Sequence, residues 1–196
     1  RRRPTFFHRF EVFMIAYAFC GSFCTLSHSL AALRRLRADG YDDILPIVSE
    51  AVAVTDTRFW RAEEFCRTVE GLCGRSIVRT IVDAEPLGPV LNAEALIIAP
   101  CTGNTLSKIA LGMSDGAVTM AAKAHLRSDR PLVITLASND ALSANLRNIA
   151  TLLSRKQVYF VPMVQDDPEK KPHSLVADFS LLEPTIEVFQ KLMEQD

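Results

Sequence analysis

The run Ala99-Pro100-Cys101-Thr102-Gly103-Asn104-Thr105-Leu106-Ser107-Lys108 carries residue types suited to holding a ligand. Threonine hydroxyls and an asparagine amide can hydrogen-bond the polar edge of a heterocycle, and Gly103 leaves the backbone bare for close approach. The apolar stretch 95–98 before it reads as a buried strand, and Leu106, Ile109 and Ala110 after it read as one side of a helix. Gly103, Asn104 and Thr105 therefore stand at a strand-to-helix turn. Free backbone N–H groups and the positive end of a helix point outward there, where doubly wound proteins hold ligands. An ordinary capped turn uses the same residues.

Three further turns carry small polar groups. Gly21, Ser22 and Thr25 follow the first apolar run and form a reasonable phosphate cradle at a helix start. A plain capped turn fits them as well. Only one glycine is present, so the dinucleotide fingerprint is not met, and a mononucleotide phosphate is the better match. Ser49 and Thr55, with Arg58, can complete an anion site, while Asp56 or Thr57 reads more simply as a helix cap. Ser138, Asn139 and Asp140 end a later strand. The agreement of four strand ends about one edge points to a pocket there. Lys108 and Lys123 lie on helices, where a lysine ordinarily snorkels to solvent.

His8, His28, His125 and His173 have no partners at metal-ligand spacing, and no serine sits in a G-x-S-x-G elbow. The chemistry then falls to a cofactor rather than to a side-chain nucleophile. The five cysteines, an odd and scattered set, argue for packed thiols in a reducing cytoplasm rather than for a disulfide framework. A net charge of −1 gives no electrostatic case for nucleic acid. No apolar stretch reaches the ~20 residues of a membrane span. The segment 10–19 reads as a first buried strand rather than a signal peptide.

The elements that must position these residues alternate. Strands are expected at 12–19, 44–48, 76–82, 95–99, 131–137 and 158–161. Helices are expected at 25–38, 58–72, 104–112, 118–127, 141–153 and 181–193, with loops at 49–57, 85–89 and, longest and most charged, 162–178. This order predicts an α/β, Rossmann-like, doubly wound and mostly parallel six-stranded sheet with helices on both faces. Residues 1–11, opening on Arg1, Arg2 and Arg3, are expected to be an untethered tail, and 12–196 a single domain.

Several segments together resemble the dipicolinate synthase B-subunit family. They are Gly21 to Thr25, Pro46-Ile47-Val48-Ser49, Thr55-Asp56-Thr57-Arg58-Phe59, Ala84-Glu85-Pro86-Leu87-Gly88-Pro89, Ala99 to Thr105 and Met120-Ala121-Ala122-Lys123-Ala124. The stretch from Phe160 to Asp178, with Asp166-Asp167-Pro168-Glu169-Lys170-Lys171-Pro172, is the most specific. That family is part of a wider flavoprotein group with phosphopantothenoylcysteine decarboxylase and the lantibiotic cysteine decarboxylases. The wider group shares mainly Pro100, Thr102, Asn104 and Thr105.

The resemblance implies a fold that binds flavin mononucleotide (FMN) and forms homo-oligomers. It implies a separate A subunit, itself a nicotinamide-dependent (NAD(P)) dehydrogenase-like chain. Together the two oxidise a dihydrodipicolinate-type precursor to dipicolinate in the cytoplasm of a sporulating cell. Gly21, Ser22 and Ser49 would hold the phosphate, Thr102, Asn104 and Thr105 would line the flavin, and Ser138 and Asn139 would lie near the ribityl chain or substrate. The two carboxylates of that small substrate need cations, for which Arg58, Lys123, Lys170 and Lys171 are the candidates. Residues 1–10 have no counterpart in the family, and His173 replaces a small polar residue. The catalytic histidine of the decarboxylases has no clear equivalent. A flavin-dependent decarboxylase of a cysteine-containing substrate, and a non-catalytic scaffold for the A subunit, are the rival readings.

Overall fold

The computed structural model of the 196-residue chain describes residues 14–87 and 93–193. The expected tail at 1–11, the first two positions of the 12–19 strand, and Gly88 and Pro89 of the 85–89 loop lie outside the described residues. Strand β1 (Met14–Phe19) alternates large and small residues, and that alternation separates two cores. Ile15, Tyr17 and Phe19 face one layer; Ala16 and Ala18 face the other. The large face meets α1 (Leu26–Ala38) through Leu26, Leu30, Leu33 and Leu36, a helical spacing read directly from sequence. Gly40, at φ +100°, follows this helix in a backbone conformation that glycine adopts without strain. Phe19 packs at 4.9 Å from the Tyr17 ring and 5.2 Å from the Phe65 ring.

Strand β2 (Asp43–Val48) pairs parallel with β1. The expected loop at 49–57 contains the short helix α2 (Glu50–Val54), which buries Val52 and begins at Ser49. The next helix, α3 (Ala62–Cys73), starts later than position 58. Asp56 accepts from the Ala62 N–H at 2.9 Å, and Thr57 folds residues 57–60 into a turn by accepting from the N–H groups of Phe59 and Trp60. The expected strand 76–82 does not form. It is one bridge, Ile47 to Val78, followed by α4 (Ile81–Ala84). The Thr80 hydroxyl accepts from the Asp83 N–H at 3.1 Å, so a local cap turns a β-branched stretch into a helix start.

Strand β3 (Ala95–Thr102) lies on the other side of β1. Helices α5 (Gly103–Ala110) and α6 (Ala117–Leu126) follow, then β4 (Leu132–Ser138), parallel to β3. The expected helix 141–153 forms only as α7 (Leu146–Leu153). Before it, residues 139–145 make turns in which the Ser143 and Asn145 N–H groups both donate to the Asp140 carbonyl. Strand β5 (Val158–Phe160) pairs parallel with β4.

The stretch 162–178, expected to be irregular, holds two strands. β6 (Met163–Val164) and β7 (Leu175–Ala177) run antiparallel, and β7 pairs antiparallel with the last residues of β4. The sheet therefore has seven strands, not six, in the order β2-β1-β3-β4-β7-β6 with β5 also on β4. It is mostly parallel and mixed. Helix α8 (Leu182–Met193) closes the α1/α3 layer with Leu182, Ile186 and Phe189. Helices α5, α6 and α7 form the opposite layer, where alanines of α6 meet the small face of β1. No helix among the described residues is long and apolar enough to cross a membrane.

The position of β1 between β2 and β3 decides where a ligand can enter. The chain leaves β1 toward α1 on one face and leaves β3 toward α5 on the other. Loops that diverge this way open a crevice outside the carboxyl ends of the two strands.

Candidate functional site

Four turns meet at this rim. After β1, Cys20 N–H donates to the Pro100 carbonyl of β3 at 3.1 Å, which closes the floor of the crevice. The Ala99–Pro100 bond is cis. Below it, the buried Ser29 hydroxyl of α1 donates to the Ala99 carbonyl, and the Tyr17 hydroxyl reaches Ser29 Oγ at 3.0 Å. These bonds join α1 to both central strands. Burial holds the Tyr17 hydroxyl well above its ordinary pKa, so it stays protonated.

Gly21 permits the next step. A Cβ there would stand 3.3 Å from Ala51 Cβ of α2, so the first two turns approach closely over a bare backbone. Ser22 opens a single 3-10 turn, Phe23–Thr25, that leads into α1. The Thr25 hydroxyl lies 2.9 Å from both Ser22 Oγ and Ser22 O. It braces the turn and is buried. No acidic side chain lies in the first turn of α1 and no side-chain bond caps it.

Among the polar side chains of these four turns, Ser49 stands apart. Its N–H donates to Phe19 O at 2.9 Å, which anchors it beside the end of β1. Its hydroxyl oxygen is enclosed and has no hydrogen-bond partner among the described residues. Such a group is costly unless something fills its hydrogen bond. Thr55 lies one helix farther on, exposed at the end of α2. Arg58 is exposed, its guanidinium 4.8 Å from the Phe59 ring centroid. Trp60 carries this loop toward α1 through a 3.2 Å bond to Ser27.

At the end of β3 the polar residues divide. Thr102 is the N-cap of α5 and accepts from the Thr105 N–H at 3.2 Å, while its hydroxyl donates to Thr105 Oγ1 at 3.1 Å. Those two build the turn. Asn104, between them, is exposed and its side chain bonds nothing among the described residues. Pro100 and Cys101 are buried, and burial raises the Cys101 thiol well above its ordinary value and the Cys20 thiol to about 11.

At the end of β4 the Ser138 hydroxyl donates to Asp140 rather than facing outward. Asn139 is exposed and accepts from the Ser174 hydroxyl at 3.5 Å. That contact, with a 2.9 Å bond from Leu142 N–H to His173 O, straps the 165–174 loop against this edge. Within the loop Lys171 pairs with Asp166 at 3.0 Å, while Lys170 is exposed. The 2.9 Å bond from Gln165 to Pro172 O closes the loop. Lys123 is not brought to these turns by its contacts. Its ammonium stands 3.4 Å from Ser114 Oγ in the α5–α6 connection.

Asp140, Asn145, Ser107 and Asn148, which residue type alone did not single out as a group, form a connected polar cluster behind the α5 turn. A trace is present in sequence: a polar Asn145 inside an otherwise amphipathic pattern.

Comparison with known proteins places this geometry. The chain is 42% identical over 181 residues to the dipicolinate synthase B subunit from Bacillus subtilis (strain 168), covering 92% of this chain and 89% of the relative. The crystal structure of the dipicolinate synthase B subunit from Bacillus halodurans C superposes with a TM-score of 0.80 at 40% identity, covering 89% of each chain. A dodecameric FMN-dependent UbiX-like decarboxylase from Escherichia coli O157:H7 superposes with a TM-score of 0.63 at 25% identity, covering 76% of this chain and 78% of that one. The model of the Flavoprotein family matches residues 17–181. With a family model spanning residues 17–181 and a relative 42% identical over 92% of this chain, the chain belongs to the Flavoprotein family.

Proposed function

We propose that this chain binds FMN in the β1/β3 crevice and acts as the B-type partner in oxidation of a dihydropyridine dicarboxylate to dipicolinate. The observation that carries the reading is its 42% identity with the dipicolinate synthase B subunit over 92% of the chain. A feature of the molecule itself supports the cofactor: the enclosed hydroxyl of Ser49 lacks a partner at the point where a ligand phosphate would supply one. Gly21, whose bare backbone comes close to Ala51 of α2, lies with Ser22 on the turn after β1, and the start of α1, with no side-chain cap from Thr25, adds its positive end. The residues present fit the group.

Asn104 supplies an amide to the polar edge of the heterocycle, and Thr102, Gly103 and Thr105 shape the turn beneath it. Asn139 stands exposed at the adjoining strand end, toward the sugar chain or substrate, while the Ser138 hydroxyl is turned to Asp140. Bound there, the flavin supplies acceptance of a hydride from the dihydropyridine, a step driven by aromatisation. The protein's task is to bind, to orient and to keep water out. Arg58, Lys170 and Lys171 are the cations for the two substrate carboxylates, Lys171 by exchanging its Asp166 partner for substrate. Lys123, turned to Ser114, is left out of this assignment. The partner is a separate NAD(P)-dependent dehydrogenase-like A subunit, and the compartment is the cytoplasm of a sporulating bacterial cell.

The test is a titration of purified chain with FMN, read as visible spectrum and fluorescence, then reconstitution with the A subunit. Shifted absorption bands, quenched emission and dipicolinate formation are the expected results. A chain that takes up no flavin yet restores activity to the A subunit is a scaffold. Release of carbon dioxide from a cysteine-containing substrate would make it a decarboxylase.

A further inference from the structure

The cluster at the β4–α7 turn is linked through side chains drawn from three elements. Asp140 Oδ1 accepts from the Ser138 hydroxyl and, at 2.9 Å, from Asn145 Nδ2. Asn145 is 4% exposed, and its Oδ1 accepts from the Ser107 hydroxyl at 2.8 Å and from Asn148 Nδ2 at 2.9 Å. The Ser107 hydroxyl also lies 2.7 Å from the carbonyl of Gly103, the first residue of α5. The cluster is seated on that residue's bare backbone: a Cβ on Gly103 would stand 2.6 Å from Asn145 Nδ2, 2.6 Å from Ser138 Oγ and 3.0 Å from Asp140 Oδ1. Contacts that close leave no room for any other residue type unless the cluster moves.

A buried amide forgoes the stabilisation an apolar side chain would bring at that position, and it is tolerated only when its hydrogen bonds are made. Here the bonds run to Asp140 just past the end of β4, to Ser107 in the second turn of α5 and to Asn148 in the first turn of α7. We propose that Asn145 and Asp140 are positioning residues that lock the first turn of α5 to the end of β4, so that Thr102, Gly103 and Asn104 meet a ligand in one fixed arrangement. Use of that turn for a flavin rests on the function proposed above; the locking itself does not. The donors Ser138 and Asn145 hold the Asp140 carboxyl below the usual carboxylate range, so at neutral pH its Oδ1 is an acceptor for both bonds.

The test is hydrogen–deuterium exchange of the full chain, followed by mass spectrometry, in Asn145→Ala, Asp140→Ala and Asp140→Asn. The last keeps a carbonyl oxygen to accept both bonds. A peptide covering residues 102–111 should exchange about tenfold faster in the two alanine variants and stay within about twofold in Asp140→Asn, with peptides of β1 and β3 unaltered. In parallel, FMN affinity should weaken about tenfold in the alanine variants and recover in Asp140→Asn. Unchanged exchange at 102–111 in both alanine variants overturns the proposal. So does acceleration spread evenly over the sheet, which would mark these side chains as general supports of the fold. If Asn145→Ala does not fold, the Asp140→Ala and Asp140→Asn pair decides. If the wild-type chain quenches no flavin, the cofactor reading fails while the exchange result still decides the lock.

Discussion

Ser49 and Thr102 have similar chemistry and opposite situations. The Thr102 hydroxyl is consumed by Thr105, as a helix cap should be, whereas the enclosed Ser49 hydroxyl bonds nothing among the described residues. The unsatisfied group costs the flavin-free chain on the order of 1 kcal/mol. Ser49→Ala should therefore leave thermal stability of that form unchanged or slightly raised, while weakening FMN binding by about tenfold in a fluorescence titration. Unaltered affinity would remove Ser49 from the phosphate set. The thiols make a second contrast. Cys20, Cys66, Cys73 and Cys101 are buried, with desolvation raising each thiol, while Cys24 is exposed at the β1–α1 turn. Brief treatment of the native protein with iodoacetamide at neutral pH should label Cys24 alone, as peptide mass spectrometry would read. Labelling of Cys101 at a similar rate would show that the crevice floor opens.

Among the elements, α6 carries a titration that its neighbours impose. His125 is fully buried, and its Nε2–H donates to the Pro131 carbonyl at 2.7 Å while Nδ1 has no partner among the described residues. Desolvation chiefly, aided by the Arg130 charge and opposed by the Pro131 bond, pushes its pKa down to about 4. In the unfolded chain the ring takes up its proton near ~6.5. The unfolded state thus binds more protons between those values, so stability is complete above about pH 6.5, falls as pH drops toward about 4, and levels off below. The loss from this one group is about 3 kcal/mol. Urea denaturation across that window should show it, and His125→Gln should flatten the profile. A slope unchanged in the variant would assign acid sensitivity elsewhere.

At the scale of the molecule, the α5–α7 layer is incompletely covered. Leu111, 74% exposed just past the end of α5, and Leu146, 52% exposed at the start of α7, line one surface depression. An exposed apolar surface of this kind is one that a second copy of the chain would cover. Leu146→Glu should shift the chain to a smaller species in size-exclusion chromatography with light scattering, at unchanged circular dichroism. An unaltered mass would place the contact elsewhere.

The local sequence determined the alternating strands and helices, the two-sided burial of β1, and the gathering of small polar residues at four strand ends. Each depends on the period of apolar residues along a single stretch, which a chain displays whatever its neighbours. The tertiary structure decided which of those polar groups have partners. Ser107 meets Asn145 across 38 positions, and Ser49 faces the end of β1 with nothing to bond among the described residues, because hydrogen-bond competition is settled by chain segments far apart in sequence. A similar competition left the expected strand at 76–82 unformed and built an unexpected pair of strands within 162–178. Whether an extended stretch joins a sheet depends on whether another strand leaves an edge open to it, and β4 left one for β7 while β2 offered Val78 a single bridge.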